Sequence, residues 1–218
     1  MLIIFDLDDT LIDTSGSVAP FKMQACLHQL IAQGLPIPSL SEALPQLLAM
    51  NARSPKSIEA IQAFASSYDP TPEQLAMAVQ ELTTPLPEDF IVATTPYAKE
   101  ILQFYHPFCA LALITGGDVA FQWDKLKKAG IDPSLFSMIA IPKDSHKGPY
   151  YEAAQREFLV PPQEVWVCGD RISMDLEPAH RLSFHTIHMR WGRGILEKGE
   201  PWVNHTIPDL RKLKELIR

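Results

Sequence analysis

Two carboxylates, Asp6 and Asp8, stand directly behind the apolar run Leu2-Ile3-Ile4-Phe5. Like charges repel and burial penalises each of them, so such a pair is costly unless a cation shares it. Mg2+ is such a cation, preferring carboxylate, phosphate and water oxygens. A second acidic pair, Asp170 and Asp175, follows another apolar run, Val165-Trp166-Val167-Cys168. The run from Cys109 to Ile114 ends in Thr115-Gly116-Gly117, a hydroxyl followed by unhindered backbone N–H groups at a helix start, which suits an anion. Lys147 opens another helical pattern, where its ammonium can balance the charge of an attacking carboxylate and a phosphate together. Acids for a metal, with a hydroxyl, amides and an ammonium for phosphate, point to phosphoryl chemistry.

These residues need a scaffold that brings distant segments to one edge. Continuous apolar runs at 2–5, 109–114, 138–141, 165–168 and 184–189 read as strands covered on both faces. Helical faces lie between them: Tyr97, Ile101, Phe104 and Tyr105; Val119, Trp123 and Leu126; Tyr150, Ala153, Ala154 and Phe158. Strand and helix alternate from about residue 96, which implies βαβ units and a parallel sheet whose carboxyl edge binds ligands. The expected fold class is α/β, a Rossmann-like doubly wound parallel sheet with a small all-helical insert.

Residues 14–94 lack a convincing strand. They show helical faces at Met23, Leu27, Leu30 and Ile31, at Ile58, Ile61 and Ala65, and at Leu75, Val79 and Leu82. Prolines at 36, 38, 45, 55, 70, 72, 85 and 87 are expected to divide this stretch into short helices. The expected organisation is a core of 1–13 and 95–218, with 14–94 as a helical cap over the sheet's carboxyl edge.

A chain of 218 residues that is 46% hydrophobic can bury one sizeable core beside a small second module. Its net charge of -7, with no basic run, excludes a nucleic-acid or anionic-membrane surface. Cys26, Cys109 and Cys168 form no CxxC or zinc spacing, so a reducing cytoplasm is the default. The leading apolar stretch stops at Asp6, short of the roughly 20 residues a membrane span needs, and no charged leader precedes it. A small phosphate ester is the expected partner, for a monomer or small homo-oligomer.

Four motifs in order give the chain a resemblance to the haloacid dehalogenase-like hydrolase superfamily, in its phosphatase branch with a helical C1-type cap. They are Asp6-Leu7-Asp8-Asp9-Thr10-Leu11, Thr115-Gly116-Gly117, Lys147, and Gly169-Asp170 through Asp175. The resemblance covers 1–13 and about 95 to the end. It implies that Asp6 is the nucleophile of an aspartyl-phosphate and that Asp8 protonates the leaving alcohol and later activates water. It further implies that Asp6, the Asp8 backbone carbonyl and Asp170 hold Mg2+, with Asp175 acting through a water or from behind. Thr115, the Gly116 N–H and Lys147 would grip the phosphoryl oxygens. The third motif departs from the family's Lys-Pro by an intervening Gly148, with Lys143 nearby, and the second carries Gly116 where many relatives have a side chain.

Rival readings remain on the same residues. A sugar-phosphate mutase shares all four motifs. A dehalogenase would lack Asp8, and a phosphonate hydrolase would need a cap lysine, for which Lys22 and Lys56 are available. A non-catalytic receiver-like binding module would place its acceptor on a middle strand of a shorter chain. Taken singly, Asp8, Thr115 and Asp170 could cap turns. His146 is the one histidine near the expected chemistry. Trp191 and Arg193 read as a packed indole and a solvated cation, and Cys168 as a small core residue.

Overall fold

Four of the apolar runs become central strands because both faces of the sheet are covered, which favours apolar side chains along them, although the run at 184–189 also buries Thr186 and His188. The computed structural model describes residues 1–217. Its strands are β1 (Leu2–Phe5), β2 (Ala110–Ile114), β3 (Met138–Ala140), β4 (Val165–Gly169), β5 (His185–Met189) and β6 (His205–Ile207). They form one sheet in the order β3-β2-β1-β4-β5-β6, with every pairing parallel. β1 lies at the centre, with Phe5 level with Leu113 of β2 and Cys168 of β4. Asp6, Thr115 and Asp170 therefore leave three adjacent strands on the same carboxyl edge. β6 escaped the sequence reading because three residues, His-Thr-Ile, carry too little apolar signal to register as a strand.

The chain divides into two compact units, one of residues 15–85 and one of residues 1–14 with 86–218. The first unit holds α1 (Ala19–Ala32), α2 (Leu40–Arg53), α3 (Ser57–Ala65) and α4 (Pro72–Gln80). Met23, Cys26, Leu27, Ala43, Leu47, Ile61 and Phe64 form its buried core. Pro72 opens α4, where a proline's missing N–H costs nothing, and Thr71 and Gln74 close a reciprocal capping box. Pro45 does not break the chain as expected: it lies inside α2, whose ladder forgoes one hydrogen bond there.

Residues 86–94 belong with the sheet unit, although the sequence placed them in the insert. The Asp13 N–H donates to the Ala93 carbonyl at 2.8 Å and Ile12 bridges Thr94, which ties this segment to the strand-following turn. Apolar periodicity does not register such backbone ties.

Around the sheet lie α5 (Ala98–Tyr105), α6 (Val119–Lys128), α7 (Gly148–Glu157), α8 (Glu177–Arg181) and α9 (Leu213–Leu216). On α7 Ala154 is buried and Phe158 packs against the core as expected, while Tyr151 is buried in place of the exposed Tyr150. On α5, Ile101 and Tyr105 are buried while Tyr97 and Phe104 face solvent. On α6, Leu126 is buried as expected, yet Val119 and Trp123 are exposed and Gln122 and Lys125 are buried. Among the described residues, no helix is long and apolar enough to cross a membrane.

Candidate active site

Asp6 leaves β1 with its N–H donating to the Cys168 carbonyl of β4 at 3.0 Å, so the strand pairing continues to the catalytic candidate itself. The chain then turns tightly. The N–H groups of Leu11 and Ile12 both reach back to the Leu7 carbonyl, and Asp9 adopts a left-handed backbone (φ 53°) that aspartate tolerates better than bulkier residues. Asp9 is fully buried and accepts a hydrogen bond from the Arg193 N–H at 3.3 Å. Gly192 permits this approach, because a Cβ there would fall 2.2 Å from the Asp9 carboxyl carbon.

Three of the expected acids meet. Oxygens of Asp6, Asp170 and Asp175 lie within 4.8 Å of one another, and all three residues are buried. Lys147 bridges two of them, donating to Asp6 Oδ1 at 2.6 Å and to Asp175 Oδ1 at 2.5 Å. Lys143, the other candidate for the third motif, is exposed. Gly148 and Pro149 follow as the first turn of α7, so the inserted glycine leaves the lysine at the helix mouth. The second oxygen of Asp175 accepts the Arg171 N–H at 2.9 Å, so both of its oxygens are engaged by protein. Asp175 sits in a single π turn, Ile172–Leu176, and packs so closely on Gly169 that a Cβ there would come within 2.5 Å.

Asp170 differs. Its Oδ2 is buried without a hydrogen-bond partner among the described residues. Burial, with Asp175, Asp9 and Asp6 nearby, pushes its carboxyl well above the usual range, against which Arg193 pulls. Burial likewise raises Asp6, to about 6; Lys147 opposes this and Asp175 and Asp8 add to it. Lys147 itself is held firmly protonated: burial would lower it, but Asp175 and Asp6 outweigh that. Three carboxylates facing one ammonium leave an uncompensated negative charge with oxygen-only donors, which fits a hard divalent cation.

Asp8 does not join that cluster. Its Oδ1 receives Lys125 Nζ at 2.5 Å and the Thr14 hydroxyl, and its Oδ2 receives Gln122 Nε2 at 3.0 Å. Burial would raise the Asp8 carboxyl, yet Lys125 and these hydrogen bonds hold it down at about 2. Gln122 Nε2 also reaches Thr115 Oγ1 at 2.9 Å and the Gly116 carbonyl at 2.7 Å. Gly116 faces Ser145, whose Oγ would lie 2.5 Å from any Cβ. The structure thus joins the first and second motifs through α6.

Four residues near the site were not legible. Gln122 stands between Phe121 and Trp123 with nothing in its neighbours to mark it, and Lys125 sits in a lysine-rich stretch that reads as solvated. Arg193 is an ion-pair partner of Asp9, with Nε 3.7 Å from Asp9 Oδ2, rather than a solvated cation. His188 is buried on β5, with its Nε2 3.1 Å from the Asp170 carbonyl, whereas His146, expected nearest the chemistry, is exposed. Trp191 donates to Asp13 Oδ1 at 3.0 Å. Buried Cys168 has its thiol pushed far up by desolvation, consistent with a core residue.

The family model for haloacid dehalogenase-like hydrolases matches residues 1–182. The chain belongs to that family. Among curated proteins it is similar to the glyceraldehyde 3-phosphate phosphatase of Pyrococcus abyssi, 24% identical over 88% of this chain and 82% of the relative. The Methanocaldococcus jannaschii protein of the same name is 25% identical over 99% of this chain and 96% of its own length. Among solved structures, the fold matches the HAD-hydrolase YfnB of Bacillus subtilis bound to magnesium, with a TM-score of 0.73, 16% identity and coverage of 100% and 98%. A 2-haloacid dehalogenase from Pseudomonas syringae shares the fold at a TM-score of 0.57, 19% identity and coverage of 99% and 97%.

Proposed function

We propose that this enzyme hydrolyses a small phosphate monoester in two steps, through an aspartyl-phosphate on Asp6. One observation carries the reading: a buried Asp6 whose carboxylate is paired to Lys147 at 2.6 Å and grouped with Asp170 and Asp175 at the strand edge. In the first step a carboxylate oxygen of Asp6 bonds to phosphorus as the ester P–O bond breaks, and the leaving oxygen takes a proton. In the second, water attacks the aspartyl-phosphate, the Asp6–phosphorus bond breaks, and inorganic phosphate leaves.

Asp8 is the group for both proton transfers. Held ionised by Lys125, it is ready as the base of the second step; protonating the alcohol requires it to carry a proton first. Lys147 offsets negative charge on Asp6 and the phosphoryl group together, with Thr115 and the Gly116 N–H gripping phosphoryl oxygens. Asp6, Asp170 and the Asp8 main-chain carbonyl would hold Mg2+, which when bound supplies charge neutralisation and alignment of the phosphoryl group. The unpartnered Asp170 Oδ2 supports that assignment. Asp175, with both oxygens already engaged, acts from behind or through a water.

The test is phosphate release with Mg2+ across phosphorylated metabolites, ranked by kcat/KM, the quantity that reports discrimination. Glyceraldehyde 3-phosphate heads the panel because the Pyrococcus abyssi and Methanocaldococcus jannaschii relatives bear that activity in their names. Asp6→Asn is expected to abolish release from every substrate, and undiminished turnover would sink the assignment. Retention of phosphate on a sugar bisphosphate would mark a mutase instead.

A further inference from the structure

We propose that Gln122 and Lys125 of α6 form a positioning clamp that sets where Asp8 delivers and takes its protons. The inference rests on the proposed function and adds two residues that no motif contains.

The clamp begins with the helix start. Asp118 caps α6, its Oδ1 accepting the Phe121 N–H at 2.9 Å, and so fixes the helix directly behind the Thr115-Gly116-Gly117 loop. Gln122 and Lys125 lie three residues apart and share one face of the helix. Both are buried, with 3% and 4% exposure, on a helix whose apolar Val119 and Trp123 face solvent. A helix that exposes an indole while burying an amide and an ammonium needs a polar reason. Here the reason is one carboxylate: Lys125 holds Asp8 Oδ1 at 2.5 Å and Gln122 holds Asp8 Oδ2 at 3.0 Å.

A buried ion pair is weak evidence for stability, since desolvation consumes much of its Coulomb gain. What it does fix is geometry, as both oxygens of Asp8 are gripped from a single rigid face. The same Gln122 amide nitrogen contacts Thr115 Oγ1 and the Gly116 carbonyl, so the phosphate-gripping loop and Asp8 share one ruler. Gly117, with φ +132°, passes close enough that a Cβ would sit 3.5 Å from that nitrogen. A misplacement of about 1 Å in such a site costs on the order of a hundredfold in rate, which is the scale a positioning residue controls.

Leaving groups separate this role from a merely structural one. An alkyl ester such as glycerol phosphate needs its departing oxygen protonated, while p-nitrophenyl phosphate releases a stabilised anion and depends little on Asp8 in the first step. Lys125→Met is expected to lower kcat/KM, which reports the steps through phosphoryl transfer to Asp6, about tenfold to a hundredfold on the alkyl ester and far less on p-nitrophenyl phosphate. Lys125→Met combined with Asp8→Asn should be no slower than Asp8→Asn alone, because the clamp acts only through Asp8. Lys125→Arg should restore part of the alkyl-ester rate. If Lys125→Met does not fold, Lys125→Gln, which shortens the side chain at the same contact to Asp8 without touching the Thr115-Gly116 loop, provides the same comparison. Equal losses of kcat/KM on both esters in a folded variant, or losses that multiply in the double variant, would overturn the clamp. Turnover by Asp6→Asn would instead overturn the reading on which it rests, so the two failures are distinguishable.

Discussion

Removing the Lys147 ammonium with Lys147→Met should make the sheet unit's stability fall more steeply with rising pH, and gain more from Mg2+, than the parent's does. Lys147 is nearly solvent-free and touches two carboxylates, at 2.6 and 2.5 Å. Deleting one partner of a buried pair costs about 3–5 kcal/mol, because the charges left behind are neither solvated nor paired. For a chain of 218 residues, where 1 kcal/mol moves Tm by about 2–4 °C, that is a fall of roughly 6–20 °C. The loss needs ionised acids. Asp6 already holds its proton to about 6, Asp170 is held well above its ordinary range by burial and the neighbouring acids, and without Lys147 the Asp6 carboxyl rises further. At about pH 8 most of the penalty should therefore be present, and toward about pH 4 it should fade as the acids neutralise themselves. The parent ammonium stays charged across that range, so its own titration adds no slope. The assay is thermal unfolding by circular dichroism at several pH values, with and without Mg2+, which should recover part of the loss by replacing the missing positive charge. A variant as stable as the parent at about pH 8 without Mg2+ would refute the electrostatic account of this cluster.

Two further outcomes follow from the same geometry. In the ion-free parent, Asp6 has a folded pKa of about 6 against an ordinary 3.8, so the folded state binds the extra proton and stability falls as pH rises through that window. Mg2+ requires the deprotonated acids, so its Tm increment should be larger at about pH 8 than at about pH 5; an increment independent of pH would place the ion elsewhere. Gly192→Ala should destabilise by about 1–3 kcal/mol in urea unfolding, since φ is +48° and the added methyl lands 2.2 Å from Asp9; a neutral result would show that the Arg193 loop shifts freely.

The sequence by itself determined the central strands and the placement of Asp6, Thr115, Lys147 and Asp170. Parallel strands covered on both faces are rich in apolar residues, so β1, β2 and β4 announce themselves as continuous runs and β5 as a run broken by Thr186 and His188, and the candidate site residues Asp6, Thr115 and Asp170 stand where the first three runs stop. The glycine between Lys147 and Pro149 left Lys143 as a rival until the fold buried one lysine and exposed the other. Tertiary structure alone decided what lay between the motifs. Lys125 belongs to a Lys-Leu-Lys-Lys stretch that reads as a solvated face, and its partner Asp8 is 117 residues away in the chain. Arg193 and His188 were equally silent, because a side chain's type does not say which buried carboxylate or carbonyl it will meet. Burial reverses the reading of such residues: in water a lysine on a helix is solvated, and beside the desolvated Asp8 the same residue type becomes its ion-pair partner.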